Sequence, residues 1–249
     1  MTASSDKAII VRNLEKKFGE FVAVNRISFM VKKSEIFGFL GSNGSGKSTT
    51  IRMLCGISTP TSGQGLVAGY DITRESEKIK RSIGYMSQRF SLYEDLSPLE
   101  NIRFYLGIYD IPTRDWTERT EWILNMIRLE GSKNRLTRDL PPGWRQRLAL
   151  GCALLHKPDI LFLDEPTSGV DPVTRRHFWE FIGRLARGGI TIFVTTHYMD
   201  EALHCNRIVM INEGNIVAAG TPTDIITETV PDRPDADLND VFTTLMSRS

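Results

Sequence analysis

Short apolar runs alternate with stretches of helical spacing along most of this chain. Residues 8–11 and 27–31 read as short strands separated by the turn-rich residues 16–20, which predicts a small antiparallel sheet near the start. Residues 35–40 form an apolar run too short for a helix and broken by glycine, while residues 48–55 have a helical composition that Gly56 would end. The order there is strand, glycine loop, helix. Residues 83–86 are strand-like, and buried strands are expected at residues 159–163 and 190–194, with a helix from about residue 173 to residue 185 between them. Runs apolar on both faces and alternating with helices indicate a mostly parallel sheet covered on both sides. Between Leu92 and His156 the texture changes: residues 98–109 and 116–129 place apolar side chains three and four apart, and no strand-like run interrupts them. This predicts an inserted helical subdomain. Residues 230–237, rich in Pro and Asp, read as a linker before a short amphipathic segment at residues 238–246.

At 249 residues, 41% hydrophobic and 24% charged, the chain can bury a sizeable core, which excludes wholesale disorder, collagen-like repeats and a small disulfide scaffold. The 31 Lys+Arg against 30 Asp+Glu leave a net charge of +1, so no overall basic field draws it to nucleic acid or anionic lipid, and no nucleic-acid partner is expected. No run approaches the ~18 consecutive apolar residues of a membrane span, so neither a spanning segment nor a signal peptide is expected. The three cysteines, Cys55, Cys152 and Cys205, lack metal-ligand or CxxC spacing and read as reduced cytosolic thiols.

The chemistry begins at Gly41-Ser42-Asn43-Gly44-Ser45-Gly46-Lys47-Ser48, which fits G-x-x-x-x-G-K-[ST] between a predicted strand and a predicted helix. Such glycines let backbone amides wrap a polyphosphate at the positive end of the following helix. Lys47 would reach the β- and γ-phosphates and Ser48 would ligate Mg2+, with Thr49 completing the nucleotide-binding set. The motif alone does not separate kinases, GTPases and ATPases. A second site, the apolar strand Ile160-Leu161-Phe162-Leu163 ending in Asp164-Glu165, adds a carboxylate for magnesium (Asp164) and a general base for an attacking water (Glu165).

In the order and combination of its motifs the chain resembles the nucleotide-binding domain of ATP-binding cassette (ABC) proteins, from about residue 8 to residue 220. The resemblance implies a P-loop NTPase fold of the α/β class, in which a mostly parallel core sheet carries an N-terminal antiparallel β-subdomain and an inserted α-helical subdomain. As one domain over residues 1–249, it would comprise a core at 1–88 and 157–220, a helical subdomain at 89–156 and a C-terminal extension at 221–249. Gln88 matches the glutamine that contacts magnesium and links site to helical subdomain. Ser168-Gly169-Val170-Asp171 looks like the D-loop, His197 is similar to the switch histidine at the γ-phosphate, and Phe18 holds the place of the ring that stacks on adenine, with Val24 lining the same pocket. Read alone, Phe18 is equally a core residue and Gln88 a surface amide, and the other histidines, His156, His177 and His204, read as surface or helix residues.

The family pattern breaks at one place. Where ABC domains carry Leu-Ser-Gly-Gly-Gln, this chain has Leu140-Pro141-Pro142-Gly143-Trp144 and rejoins the pattern at Arg145-Gln146-Arg147. In the family this segment closes on the γ-phosphate held by a second cassette, and prolines offer neither a hydroxyl nor an amide donor. Gly143, Trp144 and Arg145 are the expected replacements at the opposite ATP. The variant resembles ATPase subunits of type-two ABC exporters. That implies ATP and Mg2+ as cofactors, a second ABC domain and integral membrane permease subunits as partners, and a peripheral place on the cytoplasmic face of the membrane. The segment following Gln88, Arg89-Phe90-Ser91-Leu92-Tyr93, is then the seat for a short helix of the permease, or else part of the helical-subdomain core. Two other readings stay open: an ATP-binding subunit with weak turnover or none, and a soluble ABC protein acting on ribosomes or DNA.

Overall fold

The structure is a computed structural model in which residues 6–88, 91–233 and 235–247 are described. Strands β1 (Lys7–Phe18) and β2 (Phe21–Lys32) form a hairpin closed at Gly19 and Glu20. Both are longer than the sequence pattern indicates, for the ladder continues through Lys16↔Val24, Lys17↔Val22 and Phe18↔Phe21, inside the segment expected to turn. Register irregularities between Val11 and Lys17 break the alternation of the ladder and hide it from pattern reading. Next come β3 (Ile36–Leu40), α1 (Lys47–Leu54), β4 (Ser62–Val67), β5 (Tyr70–Asp71), α2 (Ser76–Ser82) and β6 (Ile83–Met86). The strands β4 and β5 join the hairpin in an antiparallel sheet of order β2-β1-β4-β5.

The segment expected to be helical holds α3 (Pro98–Ile108), α4 (Trp116–Ile127) and α5 (Pro142–Leu154). Helix α3 opens with a capping box, in which Ser97 accepts from the Glu100 amide and the Glu100 carboxylate accepts from the Ser97 amide. The chain continues through β7 (Ile160–Asp164), α6 (Pro172–Arg187), β8 (Thr191–Thr196), a 3₁₀ turn at Met199–His204, β9 (Arg207–Asn212), β10 (Asn215–Gly220), α7 (Pro222–Thr229) and α8 (Leu238–Ser247). The main sheet has the order β10-β9-β3-β8-β7-β6, parallel throughout except where β10 returns against β9. The carboxyl ends of β3, β7 and β8 lie side by side, and open parallel sheets place ligands at such ends.

Alternate residues of the central strands enter two separate cores. Phe37, Phe39, Phe162 and Phe193 point to one face, where Phe29 of β2 and the buried residues of α1 meet them, with Phe29 stacked on Phe37 at 5.6 Å. Each fully buried ring of this size stabilises the fold by roughly 1.5–3 kcal/mol. Leu161, Leu163, Ile192 and Val194 point to the other face, against Ile102 of α3, Ile123 of α4, Leu148 of α5 and Ile182 of α6. The helical insertion therefore shares one core with the main sheet. Leu238 and Val241 of α8 are buried in that same core, so the amphipathic segment near the end docks on the body. All three cysteines are buried, and burial pushes each thiol pKa up.

Candidate nucleotide and catalytic site

The glycine loop leaves the end of β3 and turns into α1 at Gly46, which has φ 109°. A Cβ there would sit 2.5 Å from the Ala23 carbonyl oxygen, so the position requires glycine on both counts. The Ser45 hydroxyl inside the loop is buried without a hydrogen-bond partner among the described residues. A loop curled this tightly, with a polar group left over and a helix amino end behind it, suits a polyphosphate.

Lys47 is buried at 4% exposure, and its ammonium donates to the carbonyls of Gly41 (2.9 Å) and Ser42 (3.0 Å). It also lies 3.1 Å from Glu165 Oε1. Two more groups meet that carboxylate at Oε2: Gln88 Nε2 at 3.3 Å and His197 Nδ1 at 3.1 Å. Residues from three separate segments thus converge on one acid just beyond β7. Glu165 itself has φ 46°, a left-handed backbone rarely held by a non-glycine residue, and such strain clusters at functional positions. It is fixed by its own amide, which donates to the Thr195 carbonyl at 3.1 Å and the Thr195 hydroxyl at 3.0 Å.

Asp164 Oδ1 accepts from Ser48 Oγ at 3.1 Å and from Thr195 Oγ1 at 2.7 Å. With Gln88, whose amide NH2 faces Glu165, these groups offer the hard oxygens that Mg2+ prefers, so the donor set fits that ion. The cleft above them has a volume of about 430 Å3, and its lining includes Phe18, Phe21, Ser48, Gln88 and Glu165. Phe18 is 55% exposed, which places it at the cleft wall and not in the core. The expectation for Val24 is corrected: it is fully buried in the aromatic-side core and touches the loop from beneath, while Ala23 faces the cleft.

The altered segment starts α5 with Pro141 as its cap and Pro142 in its first turn, where a missing amide costs nothing. The Trp144 and Arg145 amides are already engaged, donating to the Pro141 carbonyl at 2.9 and 3.2 Å. Of the expected replacement donors, that leaves the Gly143 amide and the Arg145 guanidinium, which donates to Glu94 at 3.3 Å. Gly143 packs so closely on α6 that a Cβ would meet Thr174 Cγ2 at 2.5 Å. Asp171, in the segment likened to the D-loop, caps α6 by accepting from the Thr174 amide, and hydrogen bonds from the Thr174 hydroxyl and then its amide hold the carboxyl below the usual range.

Two residues of this arrangement carry roles that the sequence does not assign. Thr195 ties both acids together, and Gln146, fully buried, donates to the Pro166 carbonyl at 2.7 Å and so fastens α5 to the loop after Glu165. Thr195 stands in no motif, and Gln146 only in the segment that rejoins the family pattern; the packing assigns their roles. His156 also departs from the surface reading: it is half-buried, stacked on Tyr109 at 3.9 Å, and its Nε2 donates to the Ile83 carbonyl. In the segment after Gln88, Arg89 and Phe90 fall outside the described residues, Leu92 packs on the core, and Tyr93 is exposed with its ring edge-on to Phe104 at 4.6 Å.

A family model described as ABC transporter matches residues 24–168, and one described as an AAA domain, putative AbiEii toxin, matches residues 144–199. The chain is 46% identical over 242 residues to the probable multidrug ABC transporter ATP-binding protein YbhF of Escherichia coli (strain K12), covering 97% of this chain and 42% of that protein. It thus spans less than half the length of that relative. It is 40% identical to the linearmycin resistance ATP-binding protein LnrL of Bacillus subtilis (strain 168), over 86% of this chain and 69% of the relative. A solved dimer of an ATP-binding cassette in a post-hydrolysis state, bound to ADP and Pi, superposes with a TM-score of 0.77 at 26% identity, covering 86% of this chain and 98% of the other.

Proposed function

The chain belongs to the ABC transporter family of ATP-binding proteins, and on that premise we propose that it is the ATP-hydrolysing subunit of an exporter, driving a drug-like or other substrate through separate membrane subunits. The observation that carries this reading is the convergence of Lys47, Gln88 and His197 on the Glu165 carboxylate beside the glycine loop. Phosphate oxygens of ATP exchange with the Gly41 and Ser42 carbonyls and Glu165 as partners of Lys47, which leaves Glu165 free to accept a proton. Water held by Glu165 attacks the γ-phosphorus, the bond to the bridging oxygen of ADP breaks, and the water proton passes to the carboxylate. His197, on the same carboxylate, orients it and reaches toward the γ-phosphate. Ser48, Asp164 and Gln88 would hold Mg2+, which when bound neutralises charge on the phosphate oxygens. The remaining P-loop positions, Gly41 to Thr49, cradle the phosphates, and Phe18 offers its ring face to the base.

Gly143 and Arg145 at the start of α5 close on the ATP of a second cassette, so the working unit is a dimer or a tandem pair. Among the described residues no helix is long and apolar enough to cross a membrane. Attachment to the cytoplasmic face then comes from permease subunits, which dock beside the segment following Gln88 where Tyr93 and Phe104 are exposed. Residues 89–156 act as the arm that transmits the change, and residues 1–88 with 157–220 act as the hydrolytic body. The names of the relatives, multidrug and linearmycin resistance, support export as the direction. The test is phosphate release from ATP by the wild type and by Glu165→Gln. A rate at least about 100-fold lower in the variant is expected for loss of a general base; equal and negligible rates would mean an ATP-binding subunit without turnover.

A further inference from the structure

The acid Glu201 lies outside every motif described above, in the 3₁₀ turn at Met199–His204 that follows β8, and is buried at 1% exposure. Its two oxygens serve two different loops. Thr167 Oγ1, two residues past Glu165, donates to Oε1, and Thr196 Oγ1, one residue before His197, donates to Oε2 at 2.6 Å. Thr196 Oγ1 in turn accepts from the Tyr198 amide at 3.0 Å, so the turn that carries His197 is bound on both sides of the imidazole. The Arg175 guanidinium of α6 balances the charge, with Nε 3.6 Å from Oε1, and lies 4.2 Å over the Tyr198 ring, which itself packs against His197 at 4.1 Å.

From this arrangement we infer that Glu201 is a positioning residue for ATP hydrolysis: its carboxylate bridges the loop of the general base to the loop of the switch histidine and sets the distance between Glu165 and His197. The inference rests on the roles proposed for those two residues. The physical case is one of leverage. The two loops leave neighbouring strands, β7 and β8, and beyond the strand ends the ladder no longer holds them in register. A buried carboxylate that accepts a hydroxyl on each oxygen and faces a guanidinium is stiffer than the apolar contacts around it. Reactive groups displaced by about 1 Å lose on the order of 100-fold in rate, so an anchor shared by both loops acts on turnover more than on binding. Neither Lys47 nor the glycine loop touches Glu201, which leaves nucleotide affinity to other residues.

The experiment measures kcat and KM for ATP hydrolysis, with unfolding midpoints, for Glu201→Ala, Glu201→Gln, Thr167→Val and Thr196→Val beside Glu165→Gln. The expected result is a kcat lowered about 10- to 100-fold in Glu201→Ala with KM within about 3-fold of wild type. Glu201→Gln keeps one acceptor oxygen and should recover part of the rate. The two threonine variants keep their volume and each cut one arm, so both should lower kcat, and together they should lower it by less than the product of the separate effects. They decide the matter even where Glu201→Ala does not fold. A kcat within about 2-fold of wild type in the threonine variants and Glu201→Gln overturns the inference, as does a raised KM at unchanged kcat. If wild type and Glu165→Gln release phosphate equally, the roles beneath the inference fail and it falls with them; a wild type well above Glu165→Gln keeps the two failures apart.

Discussion

His156 shows how one side chain carries a pH dependence far from the chemistry. Burial disfavours its charged form and lowers its pKa; the bond to the Ile83 carbonyl works against that shift, and the charge of Arg119 works with it. The unfolded chain binds a proton there near the ordinary value of about 6.5, while the folded chain does not until lower pH. Below about pH 6.5 the unfolded state therefore holds more protons, and stability falls as pH falls; above it this group has no effect. Urea midpoints should drop between about pH 7.5 and 5.5, and the drop should be smaller in His156→Phe, which keeps a ring against Tyr109. An identical drop in both would assign the dependence to other groups.

At the scale of elements, the start of α5 is held by a contact between helices. Gly143 faces Thr174 of α6 at a distance no Cβ tolerates, so Gly143→Ala should destabilise the fold by about 1–3 kcal/mol. Thr174→Ser removes the clashing methyl and keeps the hydroxyl; in the double variant the denaturation midpoint should recover most of the loss. No recovery would place the cost in the Gly143 backbone instead. Strands β3, β7 and β8 were legible in the sequence because both faces are buried, leaving plain apolar runs. The strand β4 was not, since Ser62-Gly63-Gln64-Gly65 has no alternation and is held as a strand by its pairing along β1. In the same way the P-loop, Asp164, Glu165 and His197 stand out by motif and strand end, and the structure sets Ser48 against Asp164 and both Lys47 and His197 against Glu165. Glu201 was not legible, because its partners are 34 and 5 residues away and an acid in a short turn reads as solvent-facing. Val24 was misplaced because the bulge of the β1–β2 ladder at Ala23 breaks the alternation, turning Ala23 to the cleft and Val24 into the core.

For the molecule as a whole, the main sheet is a partition between an aromatic core under the nucleotide loop and an aliphatic core that continues into the helical arm. The arm shares its interior with β7 and β8, so a displacement at the catalytic loops reaches it through packed side chains. The proposed closing partner is a second copy or a second cassette, and Arg145, held to Glu94 at 3.3 Å, is the cation proposed for its ATP. Hydrogen bonds to charged groups contribute roughly 1.5–3 kcal/mol, so Arg145→Ala in a Glu165→Gln background should weaken ATP-dependent dimerisation by about 10-fold or more on size-exclusion chromatography. Unchanged dimerisation would remove Arg145 from the interface. The buried cysteines bear on how such closure can be watched. With Cys55, Cys152 and Cys205 all enclosed and held protonated, the native chain offers alkylating reagents no reactive thiolate. A single cysteine introduced on an exposed face would be the sole labelling handle, so paired spectroscopic probes can report opening and closing on the otherwise natural sequence.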